Sequence, residues 1–326
     1  TGLVGSANLI ITVGNTAPTV TVQTPLNGGF FAFGDKVPFK AVITDPEDGT
    51  IDCSKVIVRY LLGHDNHAHE LSQTAGCEGV IDTPAEGGHG EDTNIFGVIN
   101  AQYTDNAQGS VPALTGEGEV VLQPKLKQAE YFSSMNGIQV VAHDGASGGK
   151  RVGYIDENDW IAFDPTNLTG ITGLGLRVSS GGAGGTIEVR SGAPDGQVLQ
   201  TFAVTNTGSF DNYVDLPAKP IPDPGGTKPL YLVFKGTGTG GLYDVDALRF
   251  EGTGVAQPPA CTPTQPEAGY RSLFDGTAAS FAPWKMSGPG RFVHKPDCTL
   301  FTEGGLGLLT YPEEFNAYSL KLDWKV

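Results

Sequence analysis

GLGLRVSSGGAGGTIEVRSGAPDGQVLQTFAV, residues 173–204, decides the fold class. Runs rich in Leu, Val, Ile and Phe alternate with Gly-rich breaks, which is strand-and-turn text. GGAGG at 181–185 falls between two such runs, so it reads as a hairpin and not as a phosphate cradle. The same grammar runs through the whole chain. Gly accounts for 47 of 326 residues and Pro for 22, without a collagen period. That composition suits many short strands joined by tight turns, where Gly supplies positive φ at no steric cost. Sixteen Phe, 10 Tyr and 3 Trp can anchor the cores of two or three domains. Helical bundles, coiled coils and disorder are excluded, and the expected class is all-β.

Charge narrows the function. Twenty Lys and Arg face 36 Asp and Glu, a net of −16, so phosphate backbones and anionic membranes are repelled. No nucleic-acid partner and no membrane partner are therefore expected, and no apolar run approaches the ~20 residues a span needs. The four cysteines fall as two local couples, Cys53 with Cys77 and Cys261 with Cys298. Two local disulfides and an oxidising, extracellular compartment are the simplest reading.

Residues 1–14 read as one terminal strand. From 15 to 123, APTVTVQTP, KVPFKAVITD, KVIVRYLLG, NIFGVINAQYTD and GEVVLQP are strand-like runs parted by NGG, DPEDG, GGHGED and DNAQG. Five or more short strands in about 110 residues predict an immunoglobulin-like sandwich. The DPEDGT turn at Asp45–Thr50 and the closing YTDNAQG resemble the PKD and related bacterial Ig-like families. Asp45, Glu47 and Asp48 read as a plain acidic turn, with calcium at a domain edge as the alternative. Residues 253–268, GTGVAQPPACTPTQPE, form a Pro/Thr linker.

Residues 124–252 carry the clearest signature. QAE near the start, GYI-x-x-x-DW, RVSS, the TG-aromatic turn and the closing D-x-D-x-L-R-F occur in that order. The segment resembles the family 6 carbohydrate-binding modules, which implies a jelly-roll sandwich. By that resemblance Tyr154 is one aromatic of a loop-end cleft. Phe210 stands where the family usually has Trp, and Asp244 where a ligand-binding Asn is common. Tyr213, Tyr243 and Trp160 are alternative stacking platforms, although Trp160 reads as core. The resemblance also implies a structural calcium between the first and last strands, with Gln128, Glu130 and Asp246 at the ligand positions. Residues 269–326 resemble the opening of the concanavalin-like domain of the 3-keto-disaccharide hydrolase families, whose domains run close to 200 residues. The third unit is thus expected to be an incomplete jelly roll in a fragment of a longer chain.

Four of six histidines lie in GHDNHAHE (63–70) and GGHGED (87–92). On a strand His67 and His69 point to one face, with His64 at the preceding turn and His89 on a Gly-rich loop. Imidazole nitrogens suit zinc or copper, with Glu70, Asp65 or Asp92 able to add an oxygen. The alternative is a polar, hydrogen-bonded loop scaffold braced by the disulfide. No complete catalytic constellation stands out. Asp275, Glu303 and Glu313 are candidates only within a complete third domain.

The expected protein is a secreted, all-β tandem of sandwiches that binds a polysaccharide or glycoconjugate without catalysis, on behalf of a multi-domain sugar-active protein. Two alternatives remain open. One is a hydrolase of a modified disaccharide acting through the complete C-terminal domain. The other is a structural or surface assembly protein whose open strand edges drive self-association.

Overall fold

The computed structural model describes residues 13–64, 67–84, 92–238, 241–257, 261–295, 298–303 and 306–323. They form two compact units, Thr1–Gln257 and Pro258–Val326. The fold is all-β, as expected: 50% strand and 3% helix.

The first unit holds two β-sandwiches in succession. In the first, β1 (Thr19–Thr24), β3 (Lys36–Thr44) and β6 (Glu78–Asp82) make a three-stranded sheet in the order β1-β3-β6. Opposite it lies a five-stranded sheet of β2 (Phe30–Phe31), β4 (Ile57–His64), β5 (His67–Ala75), β7 (Ile95–Thr104) and β8 (Thr115–Pro124), ordered β2-β8-β7-β4-β5. β3 shows why these sequences fold so. In KVPFKAVIT, Val37, Phe39, Ala41 and Ile43 are buried at every second position while Lys36, Lys40 and Thr44 face water. Those four pack against Val58, Tyr60, Ile99, Tyr103 and Leu122 of the facing sheet. The Cys53–Cys77 disulfide, with 5.0 Å between Cα atoms, ties the start of β4 to the β5–β6 turn.

The second sandwich comprises β9 (Leu126–Gln128) through β19 (Asp244–Gly252). One sheet runs β10-β13-β18-β15-β16, from Ser134–Asn136, Trp160–Phe163, Leu230–Lys235, Gly185–Ser191 and Gln197–Val204. The other runs β11-β12-β19-β14-β17, from Gln139–Ala142, Lys150–Gly153, β19, Ile171–Ser180 and Ser209–Pro220, and β9 also pairs with β19. GGAGG does join two strands, β14 and β15, which belong to different sheets. The crossing is a corner between sheets rather than the hairpin the sequence suggested. Ile161, Leu176, Val178, Ile187, Phe202, Phe234 and Val245 fill the space between the sheets.

The two sandwiches share a seam. The Phe30 ring sits 4.0 Å from that of Phe250 and belongs to the second core, while neighbouring Phe31 belongs to the first. Residues 253–257, read from sequence as linker, hydrogen-bond back: Val255 N donates to Phe30 O (2.8 Å) and Gln257 N to Lys36 O (2.6 Å). Asn167 N donates to Gly28 O (2.9 Å), and Gln123 Nε2 to Pro165 O (3.0 Å). Gly28 is required there. Its φ is +81°, and a Cβ would come within 2.7 Å of the Pro165 carbonyl carbon.

The second unit contains two two-stranded sheets, β20 (Lys285–Ser287) with β23 (Leu308–Thr310) and β21 (Arg291–His294) with β22 (Leu300–Glu303). The Cys261–Cys298 disulfide closes it.

Candidate functional site

One end of the six-stranded sheet gathers the candidate sugar-binding residues. β12, β19, β14 and β17 lie antiparallel side by side, so the ends of β12 and β14 fall beside the starts of β19 and β17. Tyr154 follows β12 and Asp244 opens β19. Ser179 pairs with Asp244, and Ser180 with Ser209, the neighbour of Phe210. With strands spaced ~4.8 Å apart, the backbones of β12 and β17 are about 14 Å apart across this end. Tyr154 is 63% exposed and has a φ of +56°, a left-handed conformation that an aromatic residue adopts only when its surroundings impose it. Phe210 is half-buried, its ring laid over Gly181, where a Cβ would come within 2.8 Å of Cδ2.

Between them sits a charged network. The Arg151 Nη1 donates to Phe210 O (2.5 Å) and lies 3.4 Å from Asp211 Oδ1. Its Nε is 3.0 Å from Asp244 Oδ2 but makes no aligned hydrogen bond, so this is a charge contact. His143 Nε2 is 2.7 Å from Asp211 Oδ1. Burial pushes the Asp244 carboxyl up to about 6, although Arg151 and His143 pull it down and Asp211 adds to the rise. Arg151, Asp211 and His143 were not picked out from sequence. A charged residue three positions before Tyr154 in RVGYI was the available signal.

Tyr243 requires a correction. It is fully buried, its ring edge-on to Phe234, its hydroxyl donating to Thr186 O (2.7 Å). With no exposed face it is a core residue and cannot be a stacking platform. Tyr213 is half-buried beneath the Arg177 guanidinium, 4.8 Å above its ring. Trp160, read as core, is instead half-exposed on the other sheet, edge-on to Tyr231, beside Asn158, Arg190, Asp195 and Lys235 in a shallow depression.

The predicted calcium residues converge. β12 and β9 pair in succession with the same edge of β19, at Val152↔Val245 and then Gln128↔Ala247. Glu130 and Asp246 are 8% and 0% exposed at that junction. Both Glu130 oxygens and Asp246 Oδ1 are buried without a hydrogen-bond partner. Burial, and more weakly Asp246, raises the Glu130 carboxyl to about 7. Asp246 Oδ2 is held by Arg177 Nη1 (2.7 Å) and Ser147 N (3.2 Å), and Gln128 Oε1 accepts from Ser147 Oγ (2.9 Å). Three orphaned hard oxygens in one place are the donor set that calcium takes.

His64, His67 and His69 also meet, at the tip of the β4–β5 hairpin. Their ligand nitrogens all lie within 4.8 Å of one another. His89 and Asp65 fall outside the described residues. Glu70 pairs with Arg59 (3.2 Å). In the acidic turn, Asp45 Oδ1 accepts from Glu47 N and Asp48 N, and Asp48 Oδ2 from Asn106. In the second unit Asp275 Oδ1 accepts from Thr277 Oγ1 (2.6 Å), and Glu313 pairs with Arg271 (2.6 Å). Glu303 ends β22.

Residues 128–252 match the family described as carbohydrate binding module (family 6). This part of the chain therefore belongs to that family. The chain is 36% identical over 110 residues to endo-1,4-beta-xylanase A of Thermoclostridium stercorarium, covering 33% of this chain and 21% of the relative. It is 31% identical over 129 residues to an arabinoxylan arabinofuranohydrolase of Bacillus subtilis (strain 168), covering 38% and 25%. Among solved structures, a β-1,3-glucan binding module of family 6 from Bacillus halodurans is 33% identical, with a TM-score of 0.37 and coverage of 39% of this chain and 94% of that one. A family 6 module from Clostridium cellulolyticum, in complex with xylose, is 30% identical with a TM-score of 0.36, covering 39% and 95%. The chain thus spans only a fifth to a quarter of the curated relatives. No helix among the described residues is long and apolar enough to cross a membrane.

Proposed function

We propose that the chain is a non-catalytic carbohydrate-binding region that holds a polysaccharide or glycoconjugate at the strand-end cleft, within a larger secreted sugar-active protein. The observation that carries this is the presence, at one sheet end, of a solvent-exposed, conformationally constrained Tyr154, of Phe210, and of the charge contact between half-buried Arg151 and buried Asp244. Pyranose rings present C–H groups to an aromatic face and hydroxyls to planar polar groups, and this end offers both. The xylanase and arabinoxylan arabinofuranohydrolase relatives, together with the β-1,3-glucan and xylose named for the solved modules, make xylan and β-1,3-glucan the first ligands to try.

Calcium held by Gln128, Glu130 and Asp246 would fasten the first strand of the module to its last. The first sandwich is read as an Ig-like, PKD-type spacer. The final unit is read as the opening of a 3-keto-disaccharide hydrolase-type domain.

The test is affinity electrophoresis and calorimetry with xylan, β-1,3-glucan and their oligosaccharides, on wild type and Tyr154→Ala. Saturable binding that disappears in the variant supports the cleft. Failure of the wild type to bind any of these would sink the reading.

A further inference from the structure

We propose that the tip of the β4–β5 hairpin in the first sandwich is a binding site for a first-row divalent transition-metal ion, zinc foremost, with His64, His67 and His69 as ligands. The register builds the site. His64 stands directly opposite His67, and Leu62 opposite His69, so all three imidazoles rise from one face of the two-stranded ribbon. A bulge between Tyr60 and Leu61 resets the alternation just before the tip. That shift puts His67 and His69 on the face of Tyr60 and Leu62, the face that buries the sandwich core. The core ends here, and the face continues as imidazole.

The distances suit a shared cation. Ring centroids are 3.9 Å apart for His64–His67, 5.1 Å for His64–His69 and 5.0 Å for His67–His69. The Nε2 atoms of His64 and His69 are 3.1 Å apart. Two imidazole nitrogens bound to one tetrahedral zinc at ~2.05 Å each would lie about 3.3 Å apart, so this pair needs almost no movement. His67 is exposed at the surface of the ribbon. His64 is only 8% exposed and pairs with Ile95 of β7 on its other side, so it forms a fixed anchor.

The chemistry separates this site from the carboxylate cluster of the second sandwich. Glu70 lies on the opposite face of the ribbon, paired with Arg59, and leaves the three nitrogens as the set among the described residues. Nitrogen donors favour zinc, copper or nickel, whereas oxygen donors favour calcium. Three ligands leave a fourth position for water or an outside donor.

The experiment is calorimetric titration of untagged, EDTA-stripped protein with zinc in saturating calcium, repeated on the double variant His67→Ala/His69→Ala. Both replaced residues are exposed, and an unchanged metal-free unfolding midpoint verifies the variant's fold. One equivalent of zinc bound at micromolar or tighter affinity, weakened more than about a hundredfold in the double variant, is the expected result. The loss should exceed the 10–100-fold that removal of an outer-shell partner causes. No saturable zinc binding by the wild type, or equal binding by the double variant, overturns the proposal. Sugar binding should not change in either case.

Discussion

With no cation at the proposed calcium site, the stability of the second sandwich should depend strongly on pH. Glu130 has an ordinary value of 4.5 and, without a cation, is raised by burial to about 7 in the fold. Below pH 4.5 the carboxyl is protonated in both the folded and the unfolded chain, so it costs nothing. Between 4.5 and 7 the folded chain keeps a proton that the unfolded chain has released. Stability therefore falls as pH rises through this window and levels off above it. A difference of 2.5 units at 1.36 kcal/mol each gives about 3 kcal/mol. The side chain is 8% exposed, so solvent screening removes little of this. Calcium needs the ionised form and would cancel the penalty when bound. Urea unfolding at pH 4.5, 6 and 8, in EDTA and in excess calcium, measures it. The EDTA curve should fall by about 3 kcal/mol between pH 4.5 and pH 8 on this account, while the calcium curve should not, so the gap between them opens with pH. Glu130→Gln should close most of the gap by stabilising the metal-free form. Coincident curves at pH 8, or a Glu130→Gln protein that still gains as much from calcium, would refute the reasoning.

Tyr154→Ala should weaken sugar binding at least tenfold while moving stability by no more than ~0.5 kcal/mol, since its ring is exposed. Calorimetry and urea unfolding read the two effects separately. Asp244 stands at about 6, so its carboxyl becomes amide-like, able both to donate and to accept, as pH falls through that value. Sugar affinity should rise about tenfold from pH 7 to pH 5 on that account, and Asp244→Asn should be strong and flat across the range; a flat wild type would contradict it. Phe30→Ala should cost about 3–5 kcal/mol, because it empties a place in the second core from the first sandwich. A loss confined to the first sandwich, read by hydrogen exchange, would count against a shared seam.

The strand text and the module's ordered motifs were legible because turn residues and β-rich runs are local signals. What depended on register was not. Tyr243 read as an alternative stacking platform, yet the strand it introduces is buried on both faces and its ring turns inward. Arg151 was not singled out, because only the neighbouring strands bring it against Asp244. The three histidines were visible as a cluster. The shared face of His67 and His69 followed from strand spacing, but that His64 joins it depends on the cross-strand register, which spacing alone does not reveal. Val255 lay in text rich in Pro and Thr, and its packing against the first core comes from a carbonyl 225 positions earlier in the chain, that of Phe30 (255 minus 30).

The seam also sets how the binding cleft is aimed. β14 begins at Ile171 near the seam and ends at Ser180 in the cleft, a run of about 30 Å at 3.3 Å per residue. A module on a flexible tether searches a volume, and its effective concentration falls as the tether lengthens. This one is carried like a lamp on a bracket, with its cleft at the end remote from the first sandwich. A captured polysaccharide strand would then inherit a fixed heading relative to that sandwich, and direction as well as proximity becomes part of what binding delivers.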